Sequence, residues 1–163
     1  VVESDVARSE GRLAEAGDLL KRLLEFDAAN GEARERLGQI HVQLAEEATE
    51  EALAKEFQLE ARKYFLIAMK DPQNEVAYKA NLGYGQMLVK DSRFVDALPP
   101  LEKALQLKNS QNLEQYVRRV QRAAEREAAK TERLEVERDE KLEEARKAAQ
   151  KAGSALKEEG AAE

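Results

Sequence analysis

Three times in its first 104 residues the chain sets small and large apolar residues on one helical face. The copies are Ala16-x3-Leu20-x2-Leu23, Ala61-x3-Phe65-x2-Ala68 and Ala97-x3-Leu101-x2-Ala104. The i, i+4, i+7 spacing is that of an α-helix, and a face opened by Ala lets a second helix approach closely. Between the copies sit Arg34-x2-Leu37-Gly38-x2-His41 and Asn81-x2-Tyr84-Gly85-x2-Leu88. A Gly inside a helix costs about 1 kcal/mol relative to Ala. It is tolerable where a neighbouring helix passes so close that no side chain fits. With 8 Gly and 3 Pro in 163 residues, long loops are scarce, and the expected class is all-α.

Taken in order, large-Gly, Ala, an aromatic or Leu, then Ala, these residues resemble the tetratricopeptide repeat, a pair of antiparallel helices in 34 residues. The segments Phe26-Asp27-Ala28-Ala29-Asn30 and Lys70-Asp71-Pro72-Gln73-Asn74 are similar to the family's inter-repeat Asp-Pro-x-Asn turn. The resemblance spans about residues 10–110. The family's Trp position holds Arg34 and Asn81, its Tyr position His41 and Leu88, and its closing Pro is Ala28 in the first copy and Asn109 in the third. What the resemblance implies is an α-solenoid of antiparallel helix hairpins closed by a long C-terminal capping helix. Its parts are a truncated first copy over 10–30, an extended copy over 31–73, a further copy over 74–111 and the helix over 112–163.

The period is irregular. Leu37 lies 24 residues before Ala61, whereas Tyr84 lies 13 before Ala97, so the middle copy carries 11 extra residues. The insert over 45–58 has neither Gly nor Pro and is made mostly of helix formers. It reads as longer helices with a turn near Glu47–Glu51 and Thr49 as N-cap, the other reading being an ordinary loop. Helices are predicted over about 10–27, preceded by a Ser9/Gly11 turn, and over 31–48, 50–70, 74–90 and 93–107. A last helix is predicted from near Asn112, with Gln115 completing a capping box. Leu113, Tyr116, Val117 and Val120 recur at helical spacing and form its capping face. Pro99 and Pro100 fall inside helix 93–107. Either the helix continues with a bend at Val95–Asp96, the preferred reading because Ala97, Leu101 and Ala104 keep register, or it begins at Pro99.

Residues 112–163 hold 12 Lys and Arg against 13 Asp and Glu. No Pro interrupts them before the end of a predicted 48-residue helix, and Glu114–Arg118, Glu137–Lys141 and Glu143–Lys147 have the favourable i,i+4 orientation. Beyond the capping face the apolar residues are Leu134, Val136, Leu142, Ala145, Ala149, Ala152 and Leu156. From Leu142 they follow a heptad seam made mostly of Ala, so self-association is expected to be weak. The part from about Glu132 is read as a charged spacer.

Composition removes several function classes. The formal net charge is −6, aromatics are 5% and Trp is absent, so nucleic acid has neither a counterion-release engine nor a stacking platform. The longest apolar run, Tyr64 to Met69, is far short of the ~20 residues of a membrane span. Without Cys there are no disulfides, thiolate metal sites or Cys nucleophiles. The chain begins with Val and no targeting stretch follows, so it reads either as a processed chain or, the preferred reading, as a piece of something larger, with residues 1–9 the tail of an element. The compartment stays open, the cytoplasm favoured.

His41 is the only histidine and occupies the position where the repeat packs an aromatic, so a packing role is expected. No phosphate-cradling Gly motif occurs. The 33 carboxylates, many at i,i+4 from Lys or Arg, read as solvated faces. The ridge Arg118-Arg119-x2-Arg122-x3-Arg126-x3-Lys130 is interleaved with Glu114, Glu125, Glu127 and Glu132. It therefore reads as a charge-balanced face, in preference to a phosphate track. No catalytic constellation, metal site or cofactor is expected.

The family resemblance implies a protein-interaction scaffold whose concave groove is lined by the first helix of each pair and takes an extended peptide or a partner helix. Helical period maps that face to Glu32, Glu35, Gln39, Val42 and Gln43 in the extended copy. In the next copy it maps to Lys79, Leu82, Gln86, Val89 and Lys90. This lining lacks the Lys and Asn set with which chaperone-adaptor members of the family clamp a chain-terminal carboxylate. Two other classes stay open: an oligomerisation module acting through the C-terminal helix, and an enzyme, for which no residues can be named.

Overall fold

The computed structural model describes residues 3–4 and 11–159, with side chains through Ala149. Among the described residues there is no strand, and six helices form. They are α1 (Leu13–Phe26), α2 (Gly31–Glu47), α3 (Glu51–Ala68), α4 (Asn74–Lys90), α5 (Phe94–Leu107) and α6 (Gln111–Glu159). Each of α1 to α5 packs against its neighbour in sequence, and α2 also meets α4. The chain divides into two compact units, Val1–Gln121 and Arg122–Glu163.

The repeated stripe is the core of the first unit. Ala16, Leu20, Ala61, Phe65, Ala68, Ala97, Leu101 and Ala104 are all at most 1% exposed, and Leu23 is half-buried. These residues fall into two clusters. Leu13, Ala16 and Leu20 of α1 pack with Ala33, Leu37 and Ile40 of α2. The larger cluster joins α3, α4 and α5 around Phe65, Leu88 and Leu101, and Leu113, Val117 and Val120 of α6 belong to it, with Tyr116 packed alongside.

The glycines explain how the helices come so close. A Cβ on Gly38 would lie 2.7 Å from the Phe65 ring, and one on Gly85 would lie 2.5 Å from Leu101 Cγ. Real Cβ atoms essentially never come that close, so a side chain at either position would force Phe65 or Leu101 out of its packed place. Gly83, which sequence reading did not single out, meets the same ring: its Cβ would lie 2.9 Å from Phe65 Cζ. Phe65 is thus seated between a bare patch of α2 and a bare patch of α4.

The turns use side-chain capping. Asp27 accepts from the Ala29 amide at 3.3 Å and from Asn30 Nδ2 at 3.0 Å, while Asn30 Oδ1 accepts from the Ala33 amide at 2.9 Å and so caps α2. Asp71 accepts from the Gln73 amide at 2.9 Å before α4 begins. Between α4 and α5, Ser92 has φ +59, and the Arg93 amide donates to the Leu88 carbonyl at 2.9 Å, a Schellman closure.

Two local expectations need correction, and one pair of alternatives is decided. Thr49 does not cap α3: that helix starts at Glu51 with Glu50 at its N-cap position and no side-chain cap bond. The insert is nonetheless helical, split only by residues 48–50. Asn112 does not cap the last helix. Ser110 does, its hydroxyl accepting from the Leu113 amide at 3.2 Å, because the helix begins at Gln111, one residue before the expected cap. Of the two readings of residues 93–107, the preferred one, a helix that continues, is the one formed: α5 runs from Phe94 through both prolines and does not begin at Pro99. The prolines leave the carbonyls of Val95 and Asp96 without helical donors, which the outer first turn tolerates, since Asp96 is exposed and Val95 is 52% exposed. Gly11, at φ +77, precedes α1, while Ser9 and most of residues 1–9 lie outside the described residues.

In the second unit every described side chain from Glu125 to Ala149 is exposed, including Leu134, Val136, Leu142, Ala145 and Ala149. The side chains of Ala152 and Leu156 lie outside the described residues. Glu143 pairs with Lys147 at 3.6 Å, as Glu114 pairs with Arg118 at 2.6 Å in the first unit. No helix among the described residues is long and apolar enough to cross a membrane.

Candidate functional site

α4 carries Lys79, Leu82, Gln86, Val89 and Lys90 at i, i+3, i+7, i+10 and i+11, a stripe along one face. α2 carries Gln39, Val42, Gln43 and Glu46 on a facing stripe. Between these walls lies a cleft of about 580 Å³ lined by all nine of those residues. Phe65, Gly83 and Met87 complete its lining, and Tyr116 of α6 closes one side. Gly83 matters to its depth, because a bare Cα there leaves the Phe65 ring as part of the floor.

Eight of the ten residues mapped by helical period are therefore brought together, and two are not. Glu32 is exposed near the start of α2 and pairs with Arg36 at 3.1 Å. Glu35 is only 2% exposed and accepts a hydrogen bond from the Gln39 side-chain amide. A Glu placed four residues before a Gln gives no sequence signal that it will be buried. Glu46, Phe65, Gly83, Met87 and Tyr116 were not mapped to the groove. Of these only Glu46 was legible, since it continues the Val42–Gln43 stripe by one turn; Phe65 and Tyr116 read as core and capping residues.

The cleft is apolar at its base and charged at its rim. Lys90 forms an ion pair with Glu46, tying α4 to α2, and Lys79 approaches Glu75 of its own helix at 3.7 Å. Desolvation pushes the Tyr116 hydroxyl above its ordinary pKa, opposed by the nearby positive charges of Arg119 and Lys90. The Arg119 guanidinium stands 5.8 Å from the Tyr116 ring centroid. Amides, one tyrosine hydroxyl, two lysines and an apolar floor can bind.

His41 lies outside this lining, as its place in the α2 stripe demands. It is 5% exposed, its Nδ1–H donates to the Leu37 carbonyl at 2.8 Å, and its ring packs 5.4 Å from Tyr64 and 6.1 Å from Phe57, centroid to centroid. Burial is the main cause that lowers its pKa, aided by Lys21 and opposed by the Leu37 bond and Glu60. The expected packing role is the one it occupies. Among the described residues no group of three or more His, Cys, Asp or Glu is arranged to hold a metal ion.

No family model, no curated protein and no solved structure matches this chain.

Proposed function

We propose that this chain is a non-catalytic protein-interaction module of tetratricopeptide-like architecture, in which antiparallel helix pairs stack and the α2–α4 cleft receives a peptide segment of a partner protein. The observation that carries the reading is the convergence of eight period-mapped residues from two helices on one apolar-floored cleft. Small apolar clefts with a few polar groups at the rim are the usual form of a binding site. The glycine-mediated approaches at Gly38 and Gly85 support the repeat architecture, because they fall at equivalent positions of the two large-Gly motifs.

The test is selection of a phage-displayed random dodecapeptide library on the immobilised chain, with Leu82→Asp as the control surface. Leu82 is half-buried on the cleft wall, and unchanged helical circular dichroism will show that the variant folds. Peptides retained by the parent and lost by the variant support the reading. Peptides that bind both equally place recognition elsewhere.

A second reading, self-association through the C-terminal helix, draws on the exposure of Leu134 and Leu142, 56% and 53%. Sedimentation equilibrium separates the two: a monomer at high concentration removes the second.

A further inference from the structure

The nature of the segment that fits the cleft follows from two features of its lining, granted the binding role proposed above. The first is charge. The charged residues of the lining are Lys79, Lys90 and Glu46, a positive balance in a chain whose net charge is −6. Arg119 adds a further cation beside Tyr116. Lys79 and Lys90 are 44% and 60% exposed, and each already meets a carboxylate, Glu75 and Glu46. Exposed pairs of this kind contribute little, so an incoming carboxylate can replace either partner without a large penalty.

The second feature is spacing. Lys79 and Lys90 are 11 residues apart on one helix, which is three turns, so they share a face with their Cα atoms roughly 16 Å apart. Leu82 and Val89 lie between them, opposite Val42. The lining therefore reads cation, apolar, apolar, cation along its length. Spacing separates the forms an occupant can take. A helix needs its two acids about 11 positions apart to reach both lysines. An extended chain covers the same distance in about five residues at roughly 3.3 Å each.

We infer that the cleft takes an extended peptide segment of another protein with two acidic residues four to six positions apart and apolar side chains between them. The carboxylates meet Lys79 and Lys90, and the apolar side chains enter between Val42, Leu82 and Val89.

The dodecapeptide selection tests this by the sequences it returns, set against those returned by a Lys79→Glu/Lys90→Glu double variant. Both positions are exposed, so helical circular dichroism and melting serve to show that the variant is folded. The expected result is enrichment of paired acids around apolar residues on the parent. A synthetic peptide of the enriched sequence should lose at least tenfold in affinity on the double variant, and bind the parent more weakly as salt rises. Enriched sequences that carry apolar residues but no paired acids, or that bind the double variant equally, overturn the inference and leave the binding role standing. Retention of no peptide that depends on Leu82 overturns both. Seating of a second copy of the chain in the cleft, seen as dimerisation that Leu82→Asp abolishes, overturns the choice of occupant.

Discussion

α2 and α4 are both 17 residues long and carry the same signature, Leu37-Gly38-x2-His41 in one and Tyr84-Gly85-x2-Leu88 in the other. They differ in where the signature sits. Gly38 is the eighth residue of α2, whereas Gly85 is the twelfth of α4, a shift of one helical turn. The residues that precede the signature by matching offsets therefore occupy different environments. Lys79 and Leu82 stand in the second and third turns of α4 and line the cleft. Glu32 and Glu35 stand in the first two turns of α2 and do not. Helical period assigns a face, but position along the helix decides whether that face meets open space.

The comparison can be broken most severely at the glycines. Gly38→Leu and Gly85→Leu each insert a side chain where even a Cβ has no room, and each should cost about 3 kcal/mol, net of the gain in helix propensity. Thermal melting checks this. A neutral result at either position would show that the two signatures are not equivalent packing devices.

A smaller effect should come from the residue that differs most between the signatures. His41 is buried where α4 has Leu88, and its lowered pKa means that the native state favours the neutral ring while the unfolded chain takes up the proton more readily. The stability tied to the neutral ring is fully present above the ordinary His value near 6.5 and is lost as pH falls from there toward the lowered folded value. His41→Leu should remove that slope. Denaturant melts at pH 7 and at pH 5.5 measure it, and an unchanged slope would assign it to other groups.

Capping gives an effect of about 1 kcal/mol. α2 has Asn30 bonded to the Ala33 amide, while α4 begins after Gln73 with no side-chain cap bond. Asn30→Ala should destabilise by about 1 kcal/mol, and Gln73→Asn should stabilise by several tenths to 1 kcal/mol. If the second change is neutral, the start of α4 is satisfied by other means. The smallest change tests the rule that only crowded glycines are required. A Cβ on Gly17 of α1 would lie 3.7 Å from Ile40 Cγ2, an ordinary contact, so Gly17→Ala should stabilise by about 0.5–1 kcal/mol.

These contrasts also mark what sequence can carry. The helices were legible to within three residues because small and large apolar residues at i, i+4 and i+7 have only one periodic reading, and because Asp27 and Asp71 announce the turns. Caps were less so. Thr49 and Asn112 are good capping residues by type, yet a helix that starts one residue earlier or later hands the role to a neighbour or to none. The walls of the cleft were legible from the stripes on α2 and α4. Its floor was not, because Phe65 belongs to a third helix, and its appearance in the cleft depends on Gly83, one of three glycines in or beside the signatures and the one that no pattern marked. Glu35 failed for a related reason: nothing in the local pattern signals the burial of a carboxylate.

Phe65, held between Gly38 and Gly83, links the history of three positions as well as their packing. Any side chain gained at 38 or 83 while the ring is present is penalised, whereas the same change after Phe65 has become Ala meets vacated space. The three positions are thus coupled in the order of their substitution: loss of the ring first relieves the penalty on losing either glycine.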